Sequence, residues 1–252
     1  MNQQTGRSRA ALVTGASRRI GKAIALDLAR NGWDICVHYH ASASEAAQVV
    51  AEIEAAGRRA VALRADLAET DALPALMAQA VAALGPVSSL INNASTFIDD
   101  ELSTLDPQTW DQQVAVNLKA PVFLAKAFAG QLPPGIGGNV INIIDQRVLQ
   151  PLPGLLSYAI TKEGLFGATR LLAQALAPRI RVNAIGPGPV LRNVRQTEQA
   201  FTAEAHATLL GKSVTPDEIA QAIRFILDAP SMTGQMIAID AGQHLSRTVI
   251  QD

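Results

Sequence analysis

Tyr158 and Lys162 stand four residues apart, and Asp145 precedes the tyrosine by thirteen. On a helix, the four-residue spacing puts a phenol and an ammonium on one face. A free tyrosine has a pKa near about 10, too high for efficient proton exchange at neutral pH. A neighbouring ammonium stabilises the phenolate and lowers that value, so the pair reads as an acid with its tuning cation. Asp145 complicates this reading, because an ionised carboxylate can only accept hydrogen bonds.

Short apolar runs alternate with helical periodicity around these residues. AALVTG (10–15), WDICVHY (33–39), RAVALRAD (59–66), VSSLINNA (87–94), GNVINII (138–144), RIRVNAIG (179–186) and QMIAID (235–240) read as strands. Helices are predicted at about 20–30, through Ala46, Val49, Val50, Ile53 and Ala56, at 69–84, as one long helix at 107–131, at 156–177, and through Ile219, Ile223, Ile226 and Leu227. Strands that are apolar throughout, each followed by a helix, imply a parallel sheet covered on both faces. The expected fold is α/β, a single doubly wound Rossmann-like domain over 1–252 with about seven strands and ligands at the strands' carboxyl ends. The Pro/Gly-flanked, mixed segment 187–213 reads as a mobile substrate-side lobe.

Bulk properties narrow the function. The chain has 252 residues, 48% of them hydrophobic, and a formal net charge of −1, which argues against a nucleic-acid or anionic-membrane partner. One cysteine, Cys36, excludes an intrachain disulfide and fits a reducing compartment. Residues 72–98 lack charge, but Pro74, Gly85, Pro86, Asn92 and Asn93 break the run into helix, turn and strand. With a polar, basic start and no apolar signal region, the expectation is a soluble cytoplasmic protein. Cys36, Trp33 and Trp110 read as packing residues; His206 and His244 lack a ligand-spaced partner, so no metal is expected.

TGASRRIG (14–21) lies where the first strand turns into the first helix, where glycines let backbone approach a pyrophosphate. The second strand ends CVHYHASAS (36–44) without the acid that would bind an NAD ribose, while His40, Ser42 and Ser44 could accommodate a 2′-phosphate. His38 and Tyr39 read as half-buried strand residues. These features favour NADPH over NADH.

Several motifs together resemble the short-chain dehydrogenase/reductase family from about residue 9 to 243. Thr14, Gly15 and Gly21 match its glycine turn, with Arg19 where the middle glycine would stand. INNAS (91–95) is similar to its N-N-A-G segment, NAIGPGPV (183–190) to its N-x-x-x-P-G segment, and Tyr158/Lys162 to its active-site pair. The resemblance implies cofactor contacts from Gly15, Arg18, Arg19 and Ile20, then His40 and Ser42, then Asp66 and Leu67. Asn93, Ala94, Ser95, Pro187 and Gly188 complete them. Lys162 would also hold the nicotinamide ribose, and Asn117 would organise a proton relay, although it could instead be a helix-bending or capping asparagine. Asp66 could also be a turn residue.

Family members usually carry serine where this chain has Asp145. An ionised carboxylate would repel a carbonyl oxygen gaining negative charge, so the site suits a protonated Asp145 or a substrate presenting N–H donors. Asp145 with Arg19, the His38-Tyr39-His40-Ala41-Ser42 run, Ser95 and Phe97 resembles one subgroup, the pteridine reductases. That resemblance implies Phe97 stacking on a pterin, Arg19 and Ser95 bonding the pterin or the cofactor phosphates, and Asp145 and Tyr158 contacting substrate. Phe97 could also be a core aromatic, and Arg19 could simply pair with phosphate. The subgroup's arginine after HYH is Ala41 here, which shifts the 2′-phosphate grip toward Arg18 and His40.

The expected activity is NADPH-dependent reduction of a C=N bond in a dihydropteridine, dihydromonapterin or dihydrofolate. Hydride goes to a ring carbon and Tyr158 protonates the adjacent nitrogen. One alternative is a carbonyl reductase acting on a 3-oxoacyl thioester or other ketone. Another is a non-catalytic NADPH-binding regulator, which a silent Tyr158→Phe change would favour. Family resemblance also implies a homotetramer, built on the apolar helices at 107–131 and 156–177, with Arg247 reaching a neighbouring site.

Overall fold

The computed structural model describes residues 9–193 and 196–246; Arg247 lies outside the described residues. Among the described residues, seven strands form one sheet: β1 Ala10–Val13, β2 Asp34–Tyr39, β3 Ala60–Arg64, β4 Ser89–Asn92, β5 Gly138–Ile143, β6 Ile180–Pro187 and β7 Met236–Ile239. Their spatial order is β3-β2-β1-β4-β5-β6-β7, and all neighbouring pairs run parallel. Among the described residues, eight α-helices accompany them: α1 Arg19–Arg30, α2 Ala43–Ala55, α3 Leu73–Leu84, α4 Pro107–Val114, α5 Ala120–Gln131, α6 Leu156–Leu176, α7 Glu198–His206 and α8 Pro216–Asp228.

Alternation along β1 shows why both faces are covered. Ala11 and Val13 join one apolar cluster with Ile24 and Leu28 of α1, Val49 and Ile53 of α2, and Ile219 and Ile223 of α8. Ala10 and Leu12 point the other way, into a cluster with Leu76 and Met77 of α3, Leu124 and Phe128 of α5, and Ala173 of α6. A strand buried on both sides needs an unbroken apolar run, which is what AALV supplies.

The sequence predicts one helix over 107–131, and the chain departs from it. A π-helical turn at Ala115–Lys119 separates α4 from α5. Pro121 has no N–H to bond the carbonyl four residues earlier, so the regular α-helical ladder cannot pass through Asn117. Such wider turns often mark functional positions, and this one carries Asn117, buried at 1% exposure. The mixed segment 187–213 contains α7, whose N-cap Thr197 accepts from the Ala200 N–H. Val190 and Ala205 within it are buried.

A chain of buried side chains ties α6 to the sheet. Asn92 donates to Asn142 (2.8 Å), Asn142 donates to Thr169 (2.9 Å), and Thr169 donates back to the Leu165 carbonyl (2.8 Å). Thr161, Leu165, Thr169 and Ala173 recur every fourth residue on the buried face of α6, which also carries Tyr158 and Lys162.

Candidate active site

Strand order reverses between β1 and β4, where an open parallel sheet leaves a crevice at its carboxyl ends. Thr14 locks the two strand ends together. Its hydroxyl donates to the Ile91 carbonyl (3.3 Å) and accepts from the Asn93 and Ala94 N–H groups, both at 2.9 Å. Gly15 then turns with φ +63°, and a Cβ on Gly21 would lie 2.2 Å from the Gly15 carbonyl oxygen. Glycine at both positions therefore lets α1 start this close to β1. Arg19 keeps the glycine-like backbone of this turn, at φ +55°, in a region that L-residues seldom occupy.

His38 proves to be fully buried rather than half-buried, and it holds this turn in place. The Gly15 N–H donates to His38 Nδ1 (3.1 Å), so the ring proton sits on Nε2, 3.2 Å from the Ala65 carbonyl it donates to. Burial pushes the imidazole down to about 4, which keeps it neutral and able to accept from Gly15. Strand register brings His38 to this turn, directly after the Val13–Val37 pairing.

A cleft of about 470 Å³ opens above the start of α1. The N-cap residue Arg18 provides no side-chain cap, leaving first-turn N–H groups for an anion. Gly15, Arg18, Arg19 and Ile20 wall the cleft on one side, His40 and Ser42 on another. Asp66 and Leu67 border it after β3, and Asn93, Ala94 and Ser95 after β4. Asp66 is also a turn residue, accepting from the Ala68 N–H at 2.9 Å. Ser17, Tyr39, Gln112 and Val116 line the cleft too, and none of them was singled out as lining from sequence.

A cavity of about 190 Å³ shares Arg19, Ile20, Asn93 and Ser95 with that cleft. Asp145, Tyr158, Lys162, Pro187 and Gly188 form its other walls. Here the carboxylate and the phenol meet: Tyr158 Oη donates to Asp145 Oδ2 at 3.0 Å, while Asp145 Oδ1 accepts from the Arg147 N–H at 2.9 Å. Lys162 Nζ donates to the Ile143 carbonyl (2.9 Å) and lies 5.5 Å from the Tyr158 ring centroid.

The tuning runs opposite to the expected lowering of the phenol by Lys162. Burial first, and then the Asp145 carboxylate, push Tyr158 well above its ordinary value. Burial likewise raises Asp145 and pushes Lys162 down to about 8, against the opposing pull of Asp145. Tyr158 is thus a firmly protonated donor.

Asn117 braces the loop after β4. Its Oδ1 accepts from the Thr96 N–H (2.8 Å) and Ser95 Oγ (3.1 Å), and its Nδ2 donates to the Thr96 carbonyl (2.9 Å) and Thr161 (3.3 Å). Its side chain therefore joins α6 to the Ser95 hydroxyl and the Thr96 backbone. Phe97 is 45% exposed, which rules out the core-aromatic reading, and it meets Tyr158 edge-on with ring centroids 4.8 Å apart. Arg19 donates to the carbonyls of Arg192 (2.9 Å) and Leu191 (3.0 Å), spanning the two cavities.

Residues 9–203 match the family described as short chain dehydrogenase. The chain belongs to the short-chain dehydrogenase family. Among relatives of this short-chain dehydrogenase, the 3-oxoacyl-[acyl-carrier-protein] reductase FabG of Staphylococcus aureus is 32% identical over 243 residues, covering 94% of this chain and 99% of the relative. The 2-dehydro-3-deoxy-D-gluconate 5-dehydrogenase of Escherichia coli is 32% identical over 240 residues, covering 92% and 94%. Among solved structures, FolM alternative dihydrofolate reductase 1 from Brucella canis, complexed with NADP, superposes with a TM-score of 0.93 at 42% identity, covering 96% of each chain. The Brucella suis protein of the same description, also with NADP, gives 0.93 at 43% identity, covering 96% and 97%.

Among its described residues, this short-chain dehydrogenase has no helix long and apolar enough to cross a membrane. Also among them, no group of three or more His, Cys, Asp or Glu could hold a metal ion.

Proposed function

We propose that the protein is an NADPH-dependent oxidoreductase of the pteridine reductase type, reducing a C=N bond in a dihydropteridine, dihydromonapterin or dihydrofolate. The 3.0 Å contact between Tyr158 Oη and Asp145 Oδ2 carries this reading. It places an acceptor-only group where a ketone oxygen would need a donor. A pterin edge, by contrast, offers N–H groups to a carboxylate. The cleft fits the cofactor: the uncapped N-terminus of α1 suits a pyrophosphate, Arg18 and His40 suit a 2′-phosphate, and the end of β2 carries no acid to bind an NAD ribose. Similarity to the NADP-complexed FolM structures supports both parts.

Bound NADPH supplies the hydride that reduces the ring carbon. Tyr158 turns its proton from Asp145 to the adjacent ring nitrogen, so that one hydride and one proton are added across the C=N bond. Asp145 orients the phenol before transfer and accepts from substrate N–H afterwards. The Lys162 ammonium offsets the charge of the tyrosinate left behind. Phe97 offers the pterin an aromatic face next to Tyr158. Arg19 reaches a ligand by exchanging the Leu191 and Arg192 carbonyls for ligand oxygens. The same reading includes assembly as a homotetramer.

Similarity to FabG favours a second reading, a 3-oxoacyl thioester reductase. NADPH oxidation measured with dihydrobiopterin, dihydromonapterin, dihydrofolate and a 3-oxoacyl thioester separates the two. Turnover on a pterin or folate supports the first reading. Silence on all three, with brisk turnover of the thioester, sinks it.

A further inference from the structure

We infer that Asp100, a buried carboxylate outside both cavities, is a positioning residue that sets Tyr158 and Phe97 against each other. Helix α6 begins without a cap of its own: its N-cap residue Leu155 is left-handed at φ +58° and makes no side-chain cap. Its first two N–H groups both end on Asp100. Leu156 N–H donates to the Asp100 carbonyl (3.1 Å) and Ser157 N–H to Asp100 Oδ1 (2.9 Å). The Ser157 hydroxyl donates to Asp100 Oδ2, so both carboxylate oxygens are used on one residue.

Gln113 of α4 closes the knot. Its Nε2 donates to Ser157 Oγ and to the Ile98 carbonyl (3.1 Å), and its Oε1 accepts from the Ile98 N–H (3.4 Å). Asp100, Gln113 and Ser157 are 5%, 0% and 0% exposed, so water cannot substitute for any of these bonds. Ile98 directly follows Phe97 and Ser157 directly precedes Tyr158. One dry cluster therefore fixes the two segments whose rings meet at 4.8 Å. A displacement of about 1 Å at a proton donor can cost on the order of 10²-fold in rate.

The inference rests on Tyr158 as proton donor, and not on the identity of the substrate. The test compares wild type, Ser157→Ala, Asp100→Asn and Asp100→Ala on whichever substrate the wild type reduces, so failure of the pterin reading shows separately in the wild-type substrate panel. Four quantities are read: kcat, KM, the NADPH dissociation constant by fluorescence, and the melting midpoint. Asp100→Ala is expected to lower kcat by about 10- to 100-fold. Ser157→Ala, which removes only the hydroxyl, is expected to lower kcat several-fold. NADPH affinity should stay within about twofold in each, because the glycine turn is built on β1 and His38. Asp100→Asn should recover part of the loss, since its amide oxygen still accepts from the Ser157 N–H. If Asp100→Ala does not fold, Ser157→Ala decides alone. Variants that keep kcat within about twofold overturn the inference, and so do variants whose kcat and NADPH affinity fall together.

Discussion

The Asp145–Tyr158 contact makes its own prediction. Asp145→Ser replaces an acceptor-only group with a donor, so pterin turnover should fall by at least about tenfold while any ketone turnover holds or rises. A steady-state comparison on both substrate classes reads this directly. Lys162 gives a second prediction. Pushed down to about 8, it is charged below that pH and neutral above it, so kcat/KM should decline as pH rises through about 8. A Lys162→Arg variant should move that limb upward, because arginine does not deprotonate in this range. The third concerns His38, which falls from 6.5 to about 4 on folding. The unfolded chain binds this proton more readily, so the associated stability is present above 6.5 and is lost as pH falls toward 4. By pH 5 the loss amounts to about 2 kcal/mol. Denaturant unfolding at pH 7 and pH 5 should show it in the wild type and not in His38→Gln. Tyr158, Lys162 and Asp145 were legible as residues, but the direction of their tuning was not. Spacing shows that an ammonium is near a phenol, whereas desolvation, the largest influence on all three, exists only once the fold surrounds them.

The elements that carry these residues are held by buried polar bonds. Thr169 links α6 to Asn142 and, through it, to Asn92 on β4. Thr169→Val keeps the shape but strands the Asn142 amide in the core, so stability should drop by about 1–3 kcal/mol in chemical denaturation. Pattern located α6 and the seven strands, because apolar period and turn residues are local signals. It did not find the π-helical turn at Ala115–Lys119. The run 107–131 is helical in period throughout, and the disruption comes from Pro121 together with packing around Asn117. The Arg19 backbone was equally hidden, since nothing in the sequence says that an arginine will keep a glycine's left-handed turn.

At the scale of the whole molecule, the exposed apolar side chains Phe123 of α5 and Ile160 and Leu171 of α6 lie on the helices expected to join subunits. Sedimentation should give a tetramer, and Leu171→Glu should shift it toward smaller species by placing a charge on an apolar contact. Sequence alone determined the class of fold, the crevice at the strand ends and the residues that would gather there, because parallel βα units and a glycine turn leave few arrangements open. Tertiary structure decided what those residues do to one another. His38 became the support of the glycine turn, Asn117 a brace for residues 95–96, and Asp100 a cap for a helix that starts more than fifty residues later. Each of these bonds joins segments far apart in the chain and is stable only where water is excluded, a condition that no local pattern of residues encodes.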